Sequence, residues 1–299
     1  FPAVRIVLAV AAIAVAVPLL VLLAGGSLGG FAPAYRYGIT TAGLGLAAAL
    51  AVARPLLSRR ERLPWALLAA GIVAYAVGQL LWTFWFGSRA EPPFPSPSDA
   101  FWLAAYPCWI AAFALLTRHR RGAHGIRVWL DAAAGSAGIA SVAAAVAFGE
   151  IVDGSRGLGG LQLTVNAGRP LIDLLLLALI VGAVALEGWR FGGGRLLLAG
   201  GAAALAVVDM AHLVQHADGN YQMHNAQLGG IVLALLAMAA GAWTAPGRRA
   251  AREEGILTLL PPLLASGGAI AVLVYGNATD VHPLGIALAT VAVAAATAR

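Results

Sequence analysis

The sequence contains no lysine, a single cysteine and few charged residues of either sign. All 19 basic residues are arginines. The absence of lysine excludes a retinal-type Schiff base and a P-loop, because both need a lysine amine. The one cysteine, Cys108, excludes an intrachain disulfide and a cysteine-cluster metal site. Its apolar sequence neighbours predict a small buried thiol rather than a reactive one.

Charged residues make up 11% of the 299 positions, whereas about a quarter of the residues are charged in a typical soluble domain. Hydrophobic residues make up 61%. This composition predicts an integral membrane protein whose main partner is the lipid bilayer. The formal charge of +6 suits nucleic-acid binding in a soluble protein, but the arginines here come in short loop clusters rather than along one stripe. We therefore expect no nucleic-acid partner.

Long apolar runs recur along the whole chain. A helix needs about 20 apolar residues to cross the hydrocarbon of a bilayer. Ten such runs predict ten transmembrane helices in one all-α, polytopic integral membrane helix bundle. The predicted spans are 4–25, 38–57, 64–86, 100–117, 128–149, 171–188, 195–217, 226–246, 256–275 and 283–298. An even number of spans places both termini on the same side.

The arginines indicate which side that is. If the N-terminus lies in the cytoplasm, only Arg36, Arg89, Arg156 and Arg169 fall on the outer side. All the other arginines then lie inside, as the positive-inside rule requires. This predicts a multi-pass protein of the bacterial plasma membrane with cytoplasmic N- and C-termini. The last span ends abruptly at Arg299, and we expect the natural chain to continue into the cytoplasm.

The connection between spans three and four, PPFPSPSDAFWLAAYP (92–107), is rich in proline, which stiffens an exposed loop and is unsuited to a helix interior. We predict that Ser98 or Asp99 is the N-cap of span four. Pro107, inside that span, predicts a kink. The aromatic residues on both sides of the connection predict an interfacial belt. They are Trp82, Trp85, Phe86, Phe94, Phe101 and Trp102.

Two stretches, 71–116 and 200–243, share a pattern. Each has a polar residue deep in an outward-going helix, Gln79 in one and Asp209 in the other, followed by a short polar connection and an inward-going helix of small residues. The pattern favours a parallel repeat of about four helices. In the longest outer loop, the alternating run LQLTV (161–165) suits one strand of a small hairpin, with a plain connector as the alternative.

Ionisable side chains inside hydrocarbon are costly, so each one is a candidate functional group. Four acids qualify: Asp131, Asp173, Glu187 and Asp209. The first three lie within a turn or two of a helix end, where a side chain can reach water or complement the helix dipole. Asp209 lies well inside span seven. It must therefore pair, become protonated or line a wet cavity.

Two histidines share a predicted helix face with Asp209. His212 follows it by three residues and His216 by seven. An Asp-x-x-His-x-x-x-His face could ligate a divalent metal, hold a haem or relay protons, with His212 and His216 as the metal ligands. The alternative is that His216 is an interfacial side chain wetted by solvent. The sequence leaves the cofactor open.

Four stretches within residues 64–299 together resemble a known family. They are PSPSDAFWLAAYPCWIAAFALL, GIRVWLDAAAGSAGIA, AGRPLIDLLLLALIVGAVAL and LAVVDMAHLVQHADGNYQMHNAQLGGIVLALLAMAAGAW. In this order they resemble the multi-helix N-terminal membrane region of actinobacterial diguanylate cyclase/phosphodiesterase proteins, which precedes cytoplasmic PAS, GGDEF and EAL domains. The positions that match the family's recurrent polar and proline landmarks are Asp99, Tyr106, Pro107, Asp131, Asp173 and Asp209. The chain departs from the family at Gln79, where an acid is common, and at His212 and His216, which replace apolar or aromatic residues.

The resemblance implies a membrane sensory or regulatory module that transmits a signal to cyclic-di-GMP turnover domains beyond the C-terminus. The chain itself contains no GGDEF, EAL or other catalytic motif, so any enzymatic activity would belong to those domains. The ligand- or signal-sensing candidates are Gln79, Asp99, Asp131, Asp173, Asp209, His212 and His216.

A sensor of this kind is expected to form a homodimer, and the small-residue run GSAGIASVAAA (135–145) is a predicted dimer face. Two other functions stay open from the sequence. One is a secondary transporter or channel with a polar site around Asp209. The other is a haem- or metal-binding membrane protein centred on His212 and His216.

Overall fold

The computed structural model describes most of the chain and places it mainly in helices. The described residues are 2–57, 61–87, 89, 93–118, 130, 133–142, 144–145, 159–160, 162, 165, 168, 171–173, 175–180, 193–217, 225–244 and 260–298. At 117, 118, 212–217, 260–262 and 264 the description covers the backbone alone. No described residue lies in a β-strand. The predicted all-α class is therefore confirmed for this part of the chain.

The helices follow one another along the chain. They are α1 (Pro2–Leu23), α2 (Thr40–Leu57), α3 (Arg62–Leu81), α4 (Pro97–Arg118), α5 (Ala133–Val142), α6 (Leu171–Ile180), α7 (Gly193–Ala217), α8 (Asn225–Trp243), α9 (Leu260–Gly276) and α10 (Pro283–Thr297). Two π-helical segments join this series, π1 (Ala34–Ile39) before α2 and π2 (Trp82–Phe86) after α3. Segments of this type often mark functional sites.

Six helical segments in the described part of the chain are long and apolar enough to cross a bilayer. They are Pro2–Leu23, Gly29–Leu57, Arg62–Phe86, Pro97–Leu116, Gly193–Ala211 and Asn225–Trp243. They correspond to predicted spans one to four, seven and eight. Their ends agree within three residues, except that the second segment begins at Gly29 instead of 38 and the fifth ends at Ala211 instead of 217. The other four predicted spans coincide with the shorter described helices α5, α6, α9 and α10. The described part of the chain thus has helices of the length and apolarity that a membrane protein needs, and the count of ten spans stays a prediction.

The chain divides into two compact units. The first contains Phe1–Ala112 and Gly193–Gly247, and the second contains Phe113–Gly192 and Arg248–Arg299. All six long helices belong to the first unit, although the last turns of α4 pass into the second. Because its two halves are separated in sequence, the first unit brings α7 and α8 against the N-terminal helices.

Helix α8 lies at the centre of the first unit, where it contacts α1, α2, α3 and α7. Its C-terminal end is tied to α2 by two hydrogen bonds. The indole Nε1 of Trp243 donates to the Leu50 carbonyl at 2.9 Å. Arg54 Nε donates to the Ala242 carbonyl at 2.6 Å, and its guanidinium stacks over the Trp65 ring at 5.5 Å. A cation at the end of a helix also complements its dipole.

Helices α7 and α8 approach each other closely through small residues. A Cβ added at Gly201 would lie 2.6 Å from the Ala234 carbonyl oxygen. One added at Gly241 would lie 2.6 Å from the Gly194 carbonyl oxygen. In a bilayer, where lipid is as apolar as leucine, close backbone packing of this kind is a main source of helix association.

Helices α3 and α4 pack together where two tryptophans of α4 occupy the spaces left by two glycines of α3. We call these spaces the glycine notches of α3. A side chain at Gly71 would overlap the indole of Trp109, and one at Gly78 would lie 2.9 Å from the indole of Trp102. The two glycines are seven residues apart, as are the two tryptophans, so antiparallel helices meet in register. Tyr75 stacks on Trp109 with ring centroids 5.7 Å apart. The matching segments are GIVAYAVG (71–78) and WLAAYPCW (102–109).

The start of α4 differs from the sequence prediction. The helix begins at Pro97, so Ser96 takes the N-cap position that Ser98 or Asp99 was predicted to fill. Asp99 Oδ2 accepts hydrogen bonds from Ser96 N at 2.7 Å and Ser96 Oγ at 2.9 Å. This is the return hydrogen bond of a capping box, with proline at the first helical position. The helix continues through Pro107 to Arg118.

Two further expectations are corrected. Trp82 and Trp102 of the predicted aromatic belt are buried and pack against each other, with ring centroids 5.9 Å apart, because each fits the α3–α4 contact. Trp85 and Phe101 are exposed, as an interfacial belt requires. The strand predicted at LQLTV is wrong for its described residues, since Gln162 and Val165 are helical. In an apolar environment, alternation along five residues does not discriminate strand from helix.

The second unit uses small residues for its own packing. A Cβ at Gly138 on α5 would overlap the Ala265 backbone on α9, and one at Gly285 on α10 would lie 3.2 Å from Ala145 N. Ala137 belongs to a buried cluster with residues of α9 and α10. Small residues of the predicted dimer face at 135–145 are therefore used for packing within the chain, whereas Ile139 and Val142 of the same run are exposed. The predicted homodimer stays untested.

The glycine notches of α3 give the first test. We expect Gly71→Ala and Gly78→Ala to lower the free energy of unfolding by about 1–3 kcal/mol, because the added methyl displaces an indole from a filled contact. Gly200→Ala on α7 is the control, since a Cβ there meets nothing within 4 Å. It should be neutral or stabilise by up to about 1 kcal/mol. Thermal or detergent unfolding checks this, and equal effects at all three sites would contradict the described packing.

Candidate functional site: a carboxylate held by two tyrosines

Asp209 is a buried ionisable residue of the first unit. It lies on α7 with only 2% of its surface exposed. Tyr75 on α3 donates a hydrogen bond to Oδ1 at 2.7 Å, and Tyr106 on α4 donates one to Oδ2 at 3.0 Å. Both tyrosines are buried. One carboxylate therefore joins three helices that are far apart in the sequence, and we call these residues the Asp209 cluster.

Aromatic rings surround the two tyrosines. Trp109 stacks on Tyr75 and meets the Tyr106 ring edge-on, with both centroids 5.7 Å away. Trp102 also packs against Tyr75, at 6.2 Å. Their indoles fill the glycine notches of α3 and so fix the direction of each phenol. The hydroxyl positions follow from this packing, which means that the Asp209 cluster is pre-organised.

The Asp209 cluster can exist in two charge states. An ionised carboxylate only accepts hydrogen bonds, so it suits two donating phenols. Protonation places a donor on one carboxyl oxygen. That oxygen becomes a weaker acceptor for the tyrosine that donates to it, and its new O–H group needs an acceptor of its own. A change of one proton therefore alters the contacts that join α7 to α3 or α4.

Two other predicted site residues lie near the same end of α3 and α4. Gln79 is fully buried one turn beyond Tyr75, and its Nε2 donates to Thr83 Oγ1 at 3.4 Å. Asp99 is also buried, and it forms the capping box with Ser96. Its hydrogen bonds to the backbone and hydroxyl of Ser96 give Asp99 a structural task at the helix start.

The remaining predicted acids lie elsewhere or outside the described residues. Asp173 on α6 belongs to the second unit and is 1% exposed, contrary to the expectation that it reaches water. Asp173 is the third residue of α6, so the other expectation, that the acid complements the dipole at the start of its helix, stays in place. Asp131 and Glu187 lie outside the described residues, and the predictions for them stay untested.

The histidine prediction also stays open. His212 and His216 lie on α7, one and two turns beyond Asp209, but their side chains are outside the described part of the structure. Within that part, no three His, Cys, Asp or Glu side chains cluster as metal ligands. The metal and haem hypotheses therefore gain no support from the described residues.

Sequence reasoning did not identify Tyr75 as a site residue and placed Tyr106 only among family landmarks. A signal was present in the spacing. Tyr75 is centred between two glycines in GxxxYxxG, and Tyr106 is centred between two tryptophans in WxxxYxxW. Small residues on one antiparallel helix and large ones on the other at the same spacing predict that the central tyrosines come together. The spacing contains no information about α7, the third helix of the Asp209 cluster.

A double-mutant cycle tests the Asp209 cluster. We expect Tyr75→Phe and Tyr106→Phe each to lower the free energy of unfolding by about 1–2 kcal/mol, since each removes a hydrogen bond to a buried carboxylate. In an Asp209→Leu background the same substitutions should cost almost nothing, because the acceptor is gone. Tyr37→Phe, at a ring that is 45% exposed, is the matched control. Losses that persist undiminished in the Asp209→Leu background would contradict the two hydrogen bonds.

Comparisons with known proteins add no assignment to this geometry. No family model, no curated protein and no solved structure matches the chain. The resemblance to the membrane region of diguanylate cyclase/phosphodiesterase proteins therefore stays a prediction from the sequence. The function has to be inferred from the residues of the Asp209 cluster.

Proposed function

We propose that this chain is a membrane sensory or regulatory module and that the Asp209 cluster is the element that changes state with the signal. The observation that carries the proposal is a buried carboxylate bound by phenols from two other helices. Ionisable groups at membrane depth are expensive and are usually functional. A purely structural contact between α3, α4 and α7 would need no charge.

The two charge states of Asp209 provide the switching mechanism. In the ionised state, Tyr75 and Tyr106 both donate to the carboxylate, which stabilises the association of α7 with α3 and α4. In the neutral state, the protonated oxygen accepts a weaker hydrogen bond and its own O–H group needs an acceptor. A local change of charge thereby biases the packing of whole helices, which is how pH- and ligand-dependent switches act. A ligand or membrane condition that favours one state would be transmitted along α7.

The proposed topology has ten spans, with both termini in the cytoplasm of a bacterial cell. The arginine distribution supports this orientation, and the six long helices supply the first part of the span count. In this orientation, the connection between α3 and α4 faces outward, and the Asp209 cluster lies on the outer side of the bilayer midplane. The N-terminal end of α7 then faces the cytoplasm.

The proposed output is control of cyclic-di-GMP turnover by domains beyond the C-terminus. Its support is the resemblance over residues 64–299, and a homodimer is proposed on the same ground. A secondary transporter or channel is the alternative, because a buried intramembrane acid also suits ion coupling. The two proposals differ in what Asp209 controls: a cytoplasmic enzyme activity in the first, and a flux across the bilayer in the second.

Asp209→Asn removes the charge and keeps the size of the side chain. In cells that express the full-length gene product, we expect this variant to shift the cyclic-di-GMP level on the order of fivefold, since coupling energies of switches are about 1–3 kcal/mol. Asp280→Asn, at an exposed position in the α9–α10 connection, removes the same charge and should leave the level unchanged. Mass spectrometry of cell extracts measures the nucleotide.

Proteoliposomes separate the two functions. A wild-type ion flux that Asp209→Asn abolishes, together with an unchanged cyclic-di-GMP level, would replace the sensory proposal with the transporter. Equal nucleotide levels for wild type, Asp209→Asn and Asp280→Asn under both acidic and neutral external conditions would also contradict the sensory role.

A further inference from the structure

One end of the first unit carries a group of exposed aromatic side chains. Tyr37 on π1 and Phe84 and Trp85 on π2 are 45%, 54% and 63% exposed, respectively. The rings of Tyr37 and Phe84 pack at 5.6 Å and hold the two π-helical segments side by side. Phe31, just before π1, is exposed as well. Rings exposed at the end of apolar helices are characteristic of the membrane–water interface.

One arginine lies on π1, and a second lies three residues beyond the end of π2. The guanidinium of Arg36 lies over the Tyr37 ring at 5.9 Å, and that of Arg89 lies over the Phe86 ring at 5.1 Å. Stacking of this kind leaves the edge of a guanidinium and its N–H donors free to bind an anion. Within the described residues, neither arginine has an ion pair or side-chain hydrogen bond. Both guanidinium groups therefore present N–H donors to an anion that approaches this surface.

We infer the identity of the anion from the level at which exposed aromatic rings lie in a bilayer. Aromatic belts lie at the level of the lipid headgroups, where phosphate groups are the anions at highest concentration. Two planar donor groups suit phosphate, because a guanidinium can bind two of its oxygens at once. The neighbouring rings can meanwhile contact the upper part of the acyl chains. The arginines and the rings thus complement the phosphate and the acyl chains of an anionic phospholipid, respectively.

We propose that the surface formed by Arg36, Tyr37, Phe84, Trp85 and Arg89 binds the headgroups of anionic phospholipids. This lipid contact is independent of the switch at Asp209. Each arginine near a membrane surface contributes attraction worth about a fivefold local enrichment of anionic lipid. Trp85 is a built-in reporter, since its exposed indole lies among the residues that would touch the lipid.

The test uses the full chain in nanodiscs made from equal parts of phosphatidylglycerol and phosphatidylcholine. Bromine is placed on the acyl chains of one lipid at a time, and quenching of the Trp85 fluorescence is obtained by subtracting a Trp85→Phe sample. We expect brominated phosphatidylglycerol to quench Trp85 at least about twofold more strongly than brominated phosphatidylcholine. In the double variant Arg36→Gln/Arg89→Gln, the ratio should fall to about one.

Arg5→Gln is the matched control, because Arg5 is an exposed arginine in the first turns of α1, at the opposite end of that helix from π1. It should keep the wild-type ratio. Equal quenching of wild type by the two brominated lipids would overturn the proposal without any variant being needed. A double variant that keeps the wild-type ratio would overturn it as well, since the preference would then come from other residues.

Discussion

A carboxylate buried among hydrocarbon-length helices must have hydrogen-bond donors, and this constraint organises the first unit. Asp209 receives one donor from α3 and one from α4. Neither helix is near α7 in the sequence, so the requirement links the two separated halves of the unit. A leucine at this position would impose no partner and no register. The acid thus specifies one arrangement of three helices at a cost in desolvation.

The packing of α4 against α3 holds the two donating tyrosines, Tyr75 and Tyr106, in place. Trp102 and Trp109 enter the notches at Gly78 and Gly71, and their rings pack against Tyr75. Lipid gives little driving force for helix association, so filled contacts of this kind supply much of the packing energy. Because interiors packed this closely are bistable rather than continuously deformable, a proton on Asp209 can have an effect beyond the cluster. This is the physical basis of the sensory proposal.

Composition and apolar length predicted the helical class and the positions of the six long helices, most of their ends to within three residues, because hydrocarbon leaves a chain few alternatives. They also identified Asp209 as a candidate functional residue, because an acidic residue deep in an apolar run stands out in the sequence. The N-cap was misplaced by two or three residues because Ser96, Ser98 and Asp99 are all good caps, and only Pro97 at the first helical position discriminates between them. Tyr75 was not predicted as a site residue. Its role depends on which helix packs against α3, and hydropathy carries no information about helix pairing.

The most direct measurement of the central claim is solid-state NMR on the protein in lipid, with ¹³C at the aspartate carboxyl and tyrosine hydroxyl-bearing carbons. Asp209→Asn assigns the Asp209 carboxyl signal, and Tyr75→Phe and Tyr106→Phe assign the two partners. The structure predicts through-space correlations from the Asp209 carboxyl to both tyrosines and none to bulk water. A carboxyl signal that correlates with water and with neither tyrosine would contradict the Asp209 cluster and the switch proposed from it.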